Sequence, residues 1–103
     1  MKALVYTGVE ELIYREEKDP VETSGESILK VHASGICGSD MHAYHGKDER
    51  RIPPLIIGHE VSGVIQNGKF QGKNVVLNLL ITCGKCEYCT SGREHLCPHR
   101  VLL

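Results

Sequence analysis

Neither sign of charge prevails in this sequence: twelve basic residues stand against thirteen acidic ones among 103, a net charge of -1. That balance excludes the electrostatic footprint that holds nucleic acid or an anionic membrane surface. No stretch approaches the ~18 consecutive apolar residues of a membrane span. The opening segment Met1–Tyr6 soon meets Glu10 and Glu11, so it lacks the long apolar centre of a secretion signal. Internal repeats and low-complexity tracts are missing too. The length leaves room for one domain and excludes a second of ordinary size. With 41% apolar and 24% charged residues the composition is that of a folded chain, which excludes wholesale disorder. The expected setting is cytoplasmic, with no nucleic-acid and no membrane partner.

What is present is cysteine, in an odd count of five, and glycine, eleven times. In a cytoplasmic chain such cysteines point to metal binding or catalysis rather than disulfides. Short Val-, Ile- and Leu-rich segments between the glycines indicate a mainly β domain. Lys2–Tyr6 and Leu12–Glu16 read as strands around a turn at Thr7–Glu10. Ser27–Ser34 alternates with the period of a half-buried strand. Ser39–Tyr44 reads as one or two helical turns with Ser39 or Asp40 as N-cap. Ile52-Pro53-Pro54 is an exposed connection in which no helix continues. Val61–Gln66 and Lys73–Ile81 read as two further strands, the second one buried, joined at a tight Asn67-Gly68 turn.

The segment from Cys83 to Pro98 has almost no apolar residues, so something other than a core must hold it in shape. Its cysteines supply the means. Cys83, Cys86 and Cys89 are separated by two residues each, and Cys97 follows after seven more. Thiolates so spaced converge on one ion about 2.3 Å away, and four protein ligands leave no opening for a substrate. Gly84 and Gly92 let the chain wrap around it, and Lys85 and Arg93 offset the thiolate charge. The same residues also resemble an iron–sulfur ligand set, although the fourth cysteine does not follow at the short ferredoxin spacing.

A second cluster joins Gly35-Ile36-Cys37-Gly38-Ser39-Asp40-Met41-His42 with Gly58-His59-Glu60. Cys37 and His59 are ligands suited to zinc. Asp40 is placed to orient His59 by accepting its ring N–H. Ser39 and His42 are the types that carry a proton from a substrate hydroxyl towards solvent. His32, His45, His95 and His99 lack such company and read as surface or packing residues.

Taken together, Gly-Ile-Cys-Gly-Ser-Asp at 35–40, Gly-His-Glu at 58–60 and the four spaced cysteines resemble the zinc-dependent medium-chain alcohol dehydrogenases, with a lean towards the polyol and threonine branch. The resemblance covers essentially the whole chain. It implies a mainly β fold, a partial GroES-like β-barrel with a zinc-binding loop lobe at about 82–100 and short helices. It implies a catalytic zinc on Cys37 and His59 with Glu60 as a nearby or exchanging ligand, and a structural zinc on Cys83, Cys86, Cys89 and Cys97. Ser39 and His42 would form the proton relay, and Asp40 would steady His59. The substrate implied is a small alcohol or polyol, oxidised with NAD or NADP.

Three departures accompany it. Family members are about three times longer, and no Gly-x-Gly-x-x-Gly of a Rossmann dinucleotide domain occurs here. The remaining ligand of the catalytic zinc normally follows residue 103. The stretch Gly63–Gly72 is short, and the family's Gly-Asp-Arg-Val stands here as Gly72-Lys73-Asn74-Val75. The expectation is therefore an N-terminal catalytic-domain fragment, inactive alone, whose apolar end at Val101–Leu103 is cut from a longer element. A stand-alone zinc-stabilised binding module without activity is the alternative. Open barrel edges are expected to favour a homo-oligomer by strand pairing.

Overall fold

The computed structural model describes residues 1–103. In chain order the elements are β1 (Lys2–Gly8), β2 (Glu11–Glu16), β3 (Leu29–Gly35), α1 (Gly38–Tyr44), β4 (Leu55–Ile56) and β5 (Glu60–Ile65). There follow β6 (Asn74–Val76), β7 (Leu80–Ile81), α2 (Glu87–Thr90), a 3-10 helix (Glu94–Leu96) and β8 (Val101–Leu102). The domain is mainly β, as its composition indicates.

β1 and β2 form an antiparallel hairpin whose turn places Glu10 in the left-handed region, at φ 58°. The short β4 pairs with the other edge of β1, Val5 opposite Ile56 and Tyr6 opposite Leu55. A second antiparallel sheet has the order β3-β5-β6, and β7 pairs with β8 in a third. What sets the second sheet's spacing is Gly63 on β5, opposite Val31 on β3. A Cβ there would sit 2.9 Å from the Lys30 carbonyl carbon and closer still to its oxygen. Gly63→Ala is therefore expected to force the strands apart and cost about 1–3 kcal/mol, measured as a lower denaturation midpoint at unchanged slope. An unchanged midpoint would remove the packing argument.

Only seven residues are buried, and the apolar ones are Ala3, Val5, Tyr6, Ala43 and Cys97. The accessible surface is 7805 Å², against about 5,800 Å² for a typical monomer of this mass. The radius of gyration, 15.5 Å, exceeds the ~13 Å usual for 100 residues. The two three-stranded sheets thus keep apolar side chains such as Leu4, Ile13, Tyr14, Val31 and Val76 largely exposed.

Four expectations are corrected. The stretch Lys73–Ile81 is not one buried strand: β6 ends at Val76, which is 79% exposed, and β7 begins at Leu80. The Asn78 side chain accepts the Leu80 N–H at 3.1 Å and turns the chain between them. The connection from β5 to β6 is not a tight two-residue turn either. It runs from Gln66 to Lys73, with Gly68 at φ 75° and the Asn67 side chain accepting the Ile28 N–H instead. β3 starts at Leu29 rather than Ser27 and is bulged between Val31 and Ala33, so its alternation does not appear as one buried face. The N-cap of α1 is Cys37, with Ser39 and Asp40 inside the first turn.

Candidate metal centres

Two groups of metal-ligating side chains come together in this fold, on different elements. In the first, the Sγ atoms of Cys83, Cys86, Cys89 and Cys97 all lie within 4.8 Å of one another. Cys83 Sγ and Cys89 Sγ are 3.8 Å apart, and every cysteine is free. Four sulfurs at 2.3 Å from a central tetrahedral ion lie about 3.8 Å from each other. The donor set therefore fits zinc.

Local hydrogen bonds build this lobe. The Cys86 N–H donates to Cys83 Sγ at 3.3 Å, and the Cys89 N–H donates to Cys86 Sγ at 3.5 Å, which caps α2. Gly84 and Gly92 take φ values of 72° and 75°, open to glycine at no steric cost. Cys97 is fully buried, and the β7–β8 pair closes the loop behind it. The Cys83 thiol is lowered to about 6, first by the Lys85 backbone N–H and then by that of Cys86. Cys89 is raised to about 11, chiefly by desolvation and next by the Cys86 side chain. Metal binding by these sulfurs would release the thiol protons that remain on them. Of the cations, Arg93 stacks over the Tyr88 ring at 5.1 Å, and the Arg100 guanidinium donates to the Cys97 carbonyl at 2.9 Å. Arg100 was not legible in the spacing.

The second group is Cys37, His59 and Glu60, whose ligand atoms also lie within 4.8 Å of one another. Cys37 stands where β3 gives way to α1, and His59 immediately precedes β5. Gly35 pairs with Glu60 across β3 and β5, and a Cβ at Gly35 would collide with the Glu60 carboxylate. Gly35 thus leaves open the space in which the Glu60 carboxylate lies. Asp40, only 6% exposed, accepts the Cys37 N–H at 3.0 Å through Oδ2. Its Oδ1 lies 3.5 Å from His59 Nδ1. Ser39 and His42 are three apart on α1 and so share a helix face, with His42 exposed. No hydrogen bond joins them. The exposed histidines outside these groups are 32, 45, 95 and 99. Of these, His45 Nδ1 pairs with Glu10 Oε1 at 3.0 Å.

Comparison with known proteins gives this geometry its family. Residues 23–103 match the alcohol dehydrogenase GroES-like domain. A zinc-type alcohol dehydrogenase-like protein of Bacillus subtilis is 33% identical, over 94% of this chain and 28% of its own length. The sorbitol dehydrogenase of Halalkalibacterium halodurans is 38% identical, over 97% of this chain and 32% of its own length. Among solved structures, an alcohol dehydrogenase of Escherichia coli CFT073 complexed with the cofactor NADH superposes with TM-score 0.80 at 33% identity. It covers 100% of this chain and 32% of the other. The chain belongs to the alcohol dehydrogenase GroES-like domain family, and it spans about a third of the length of the relatives it matches. No helix in the structure is long and apolar enough to cross a membrane.

Proposed function

We infer that the chain is the metal-carrying N-terminal region of a zinc-dependent, NAD(P)-linked dehydrogenase acting on a small alcohol or polyol. The observation that carries this reading is the presence of two separate ligand groups, one closed and one open, on a GroES-like fold. Cys83, Cys86, Cys89 and Cys97 hold a structural zinc. Cys37 and His59, with Glu60 beside them, hold a catalytic one. When bound at the second site, zinc supplies a Lewis acid for the alcohol oxygen while hydride passes to the nicotinamide.

The chain's own residues prepare that step. Asp40 faces Nδ1 of His59, which leaves Nε2 as the nitrogen available for coordination. Ser39 and His42 lead the hydroxyl proton along one face of α1 towards solvent. The Glu60 carboxylate occupies the space that a Cβ at Gly35 would fill, which keeps it beside Cys37 and His59.

Elemental analysis of protein purified without added metal tests the reading. At least one zinc per chain is expected, and iron with sulfide would overturn the assignment. The isolated 103 residues are expected to oxidise no alcohol with NAD or NADP. Turnover by this chain alone would show that the division of labour is wrong.

A further inference from the structure

The geometry points to Arg51 as a positioning residue for the Cys37–His59 site, acting through Asp40; this rests on reading that site as a metal centre. Asp40 is the one buried acid of the domain, and a buried carboxylate without partners is costly. Its Oδ2 is occupied by the Cys37 N–H. Its Oδ1 receives Arg51 Nη1 at 3.1 Å, the same oxygen that faces His59 Nδ1 at 3.5 Å. A single carboxylate therefore touches the backbone of one candidate ligand, the ring of the other, and one guanidinium.

Arg51 is itself held. Its side chain is 22% exposed, and Nε lies 3.7 Å from Asp48 Oδ2. Asp48 is in turn fixed by Arg50, through Nε at 2.9 Å, Nη2 at 3.0 Å and the backbone N–H at 3.1 Å. The Arg51 N–H bonds the Asp48 carbonyl at 3.1 Å, so residues 48–51 form a closed turn that presents the guanidinium. A planar fork bridging two carboxylates fixes orientation in a way that a point charge cannot. Without it, Asp40 keeps the Cys37 N–H but loses the cation that holds Oδ1 against the imidazole. The His59 ring then turns more freely, and the ligand pair is less ready for a metal.

Cobalt(II) titration of the full chain tests this, with Co²⁺ as both probe and reporter. The visible d–d band that Cys37→Ser abolishes marks the site in question, and the four-cysteine lobe serves as internal control. Arg51→Ala is expected to weaken Co²⁺ binding at the marked site by about 10–100-fold and to alter its band, while the lobe binds as before. Arg51→Lys is expected to fall between, and Arg15→Ala, whose side chain pairs with Glu17 on the β1–β2 hairpin, to stay near the original affinity. Asp40→Asn combined with Arg51→Ala is expected to be no worse than Asp40→Asn alone, the signature of action through Asp40. An unaltered affinity and band in Arg51→Ala would overturn the inference, as would equal weakening of both sites. If the unsubstituted chain shows no band sensitive to Cys37→Ser, the metal reading of the site itself has failed. Should Arg51→Ala not fold, the Arg51→Lys affinity and band decide by the same criteria.

Discussion

Replacing Cys97 by serine is expected to cost the protein one equivalent of zinc and the ordered conformation of residues 82–100. The segment's local hydrogen bonds and the β7–β8 pair enclose no apolar core that could hold its shape without the four thiols. Its two helical elements, of four and three residues, are far below the ~12–15 residues at which isolated helices become even marginal. Cys97 is the one buried residue in the segment. Structural zinc binding contributes about 10–16 kcal/mol in zinc-finger peptides at neutral pH, and in such a lobe that binding energy is folding energy. With one thiolate gone, the remaining three leave an incomplete shell. Elemental analysis would find one zinc fewer per chain, and amide exchange would lose protection at Cys89, Thr90 and Cys97 but not at Leu4–Tyr6. Full zinc retention with unchanged exchange would dismiss the lobe as a metal site.

His59→Ala carries the second large effect. In the full-length protein it is expected to remove zinc from the open site, leave the cysteine lobe loaded, and lower kcat/KM for alcohol oxidation by about 10³-fold or more. The size follows from the several kcal/mol that a Lewis-acid metal contributes, each 1.36 kcal/mol being about tenfold in rate. The fold is expected to survive, because His59 lies in the short connection before β5 rather than among the residues that pack β1 and α1. Undiminished turnover in that variant would refute the assignment of His59 as a catalytic ligand. Comparing the two variants also separates the sites, since each is expected to empty one and spare the other.

These expectations rest on features that the sequence displays unevenly. The cysteine lobe was legible because its information is local: ligand spacing within fifteen residues and no competing apolar pattern. The β1–β2 hairpin was legible for the same reason. β4 was not, being two residues long and ordered only by pairing with β1, some fifty positions earlier. The run from Val75 to Ile81 looked buried because apolar density does not reveal what covers a face, and here Val75, Leu77, Leu79 and Leu80 are only half-buried while Val76 and Ile81 are exposed. Cys37 escaped notice as an N-cap because Ser39 and Asp40 have the stronger intrinsic preference. The Asp40 carboxylate reverses that expectation by reaching back to the Cys37 N–H. In the open group, Cys37, Asp40 and His59 could be named from residue type, whereas Arg51 could not. Its contact with Asp40 spans eleven positions and lies in a charged stretch that resembles any solvated loop.

The sparse burial seen in both sheets bears on how the domain responds to temperature. Apolar surface exposed on unfolding is the main source of the heat-capacity increment, and a chain that hides little of it has little to expose. Its stability curve is correspondingly shallow, and cooling removes less of its stabilisation than in a domain with a dense core. Metal coordination, as proposed for the cysteine lobe, would draw on no apolar hydration, so the part of the chain with the least hydrophobic support would also be the part whose order depends least on it.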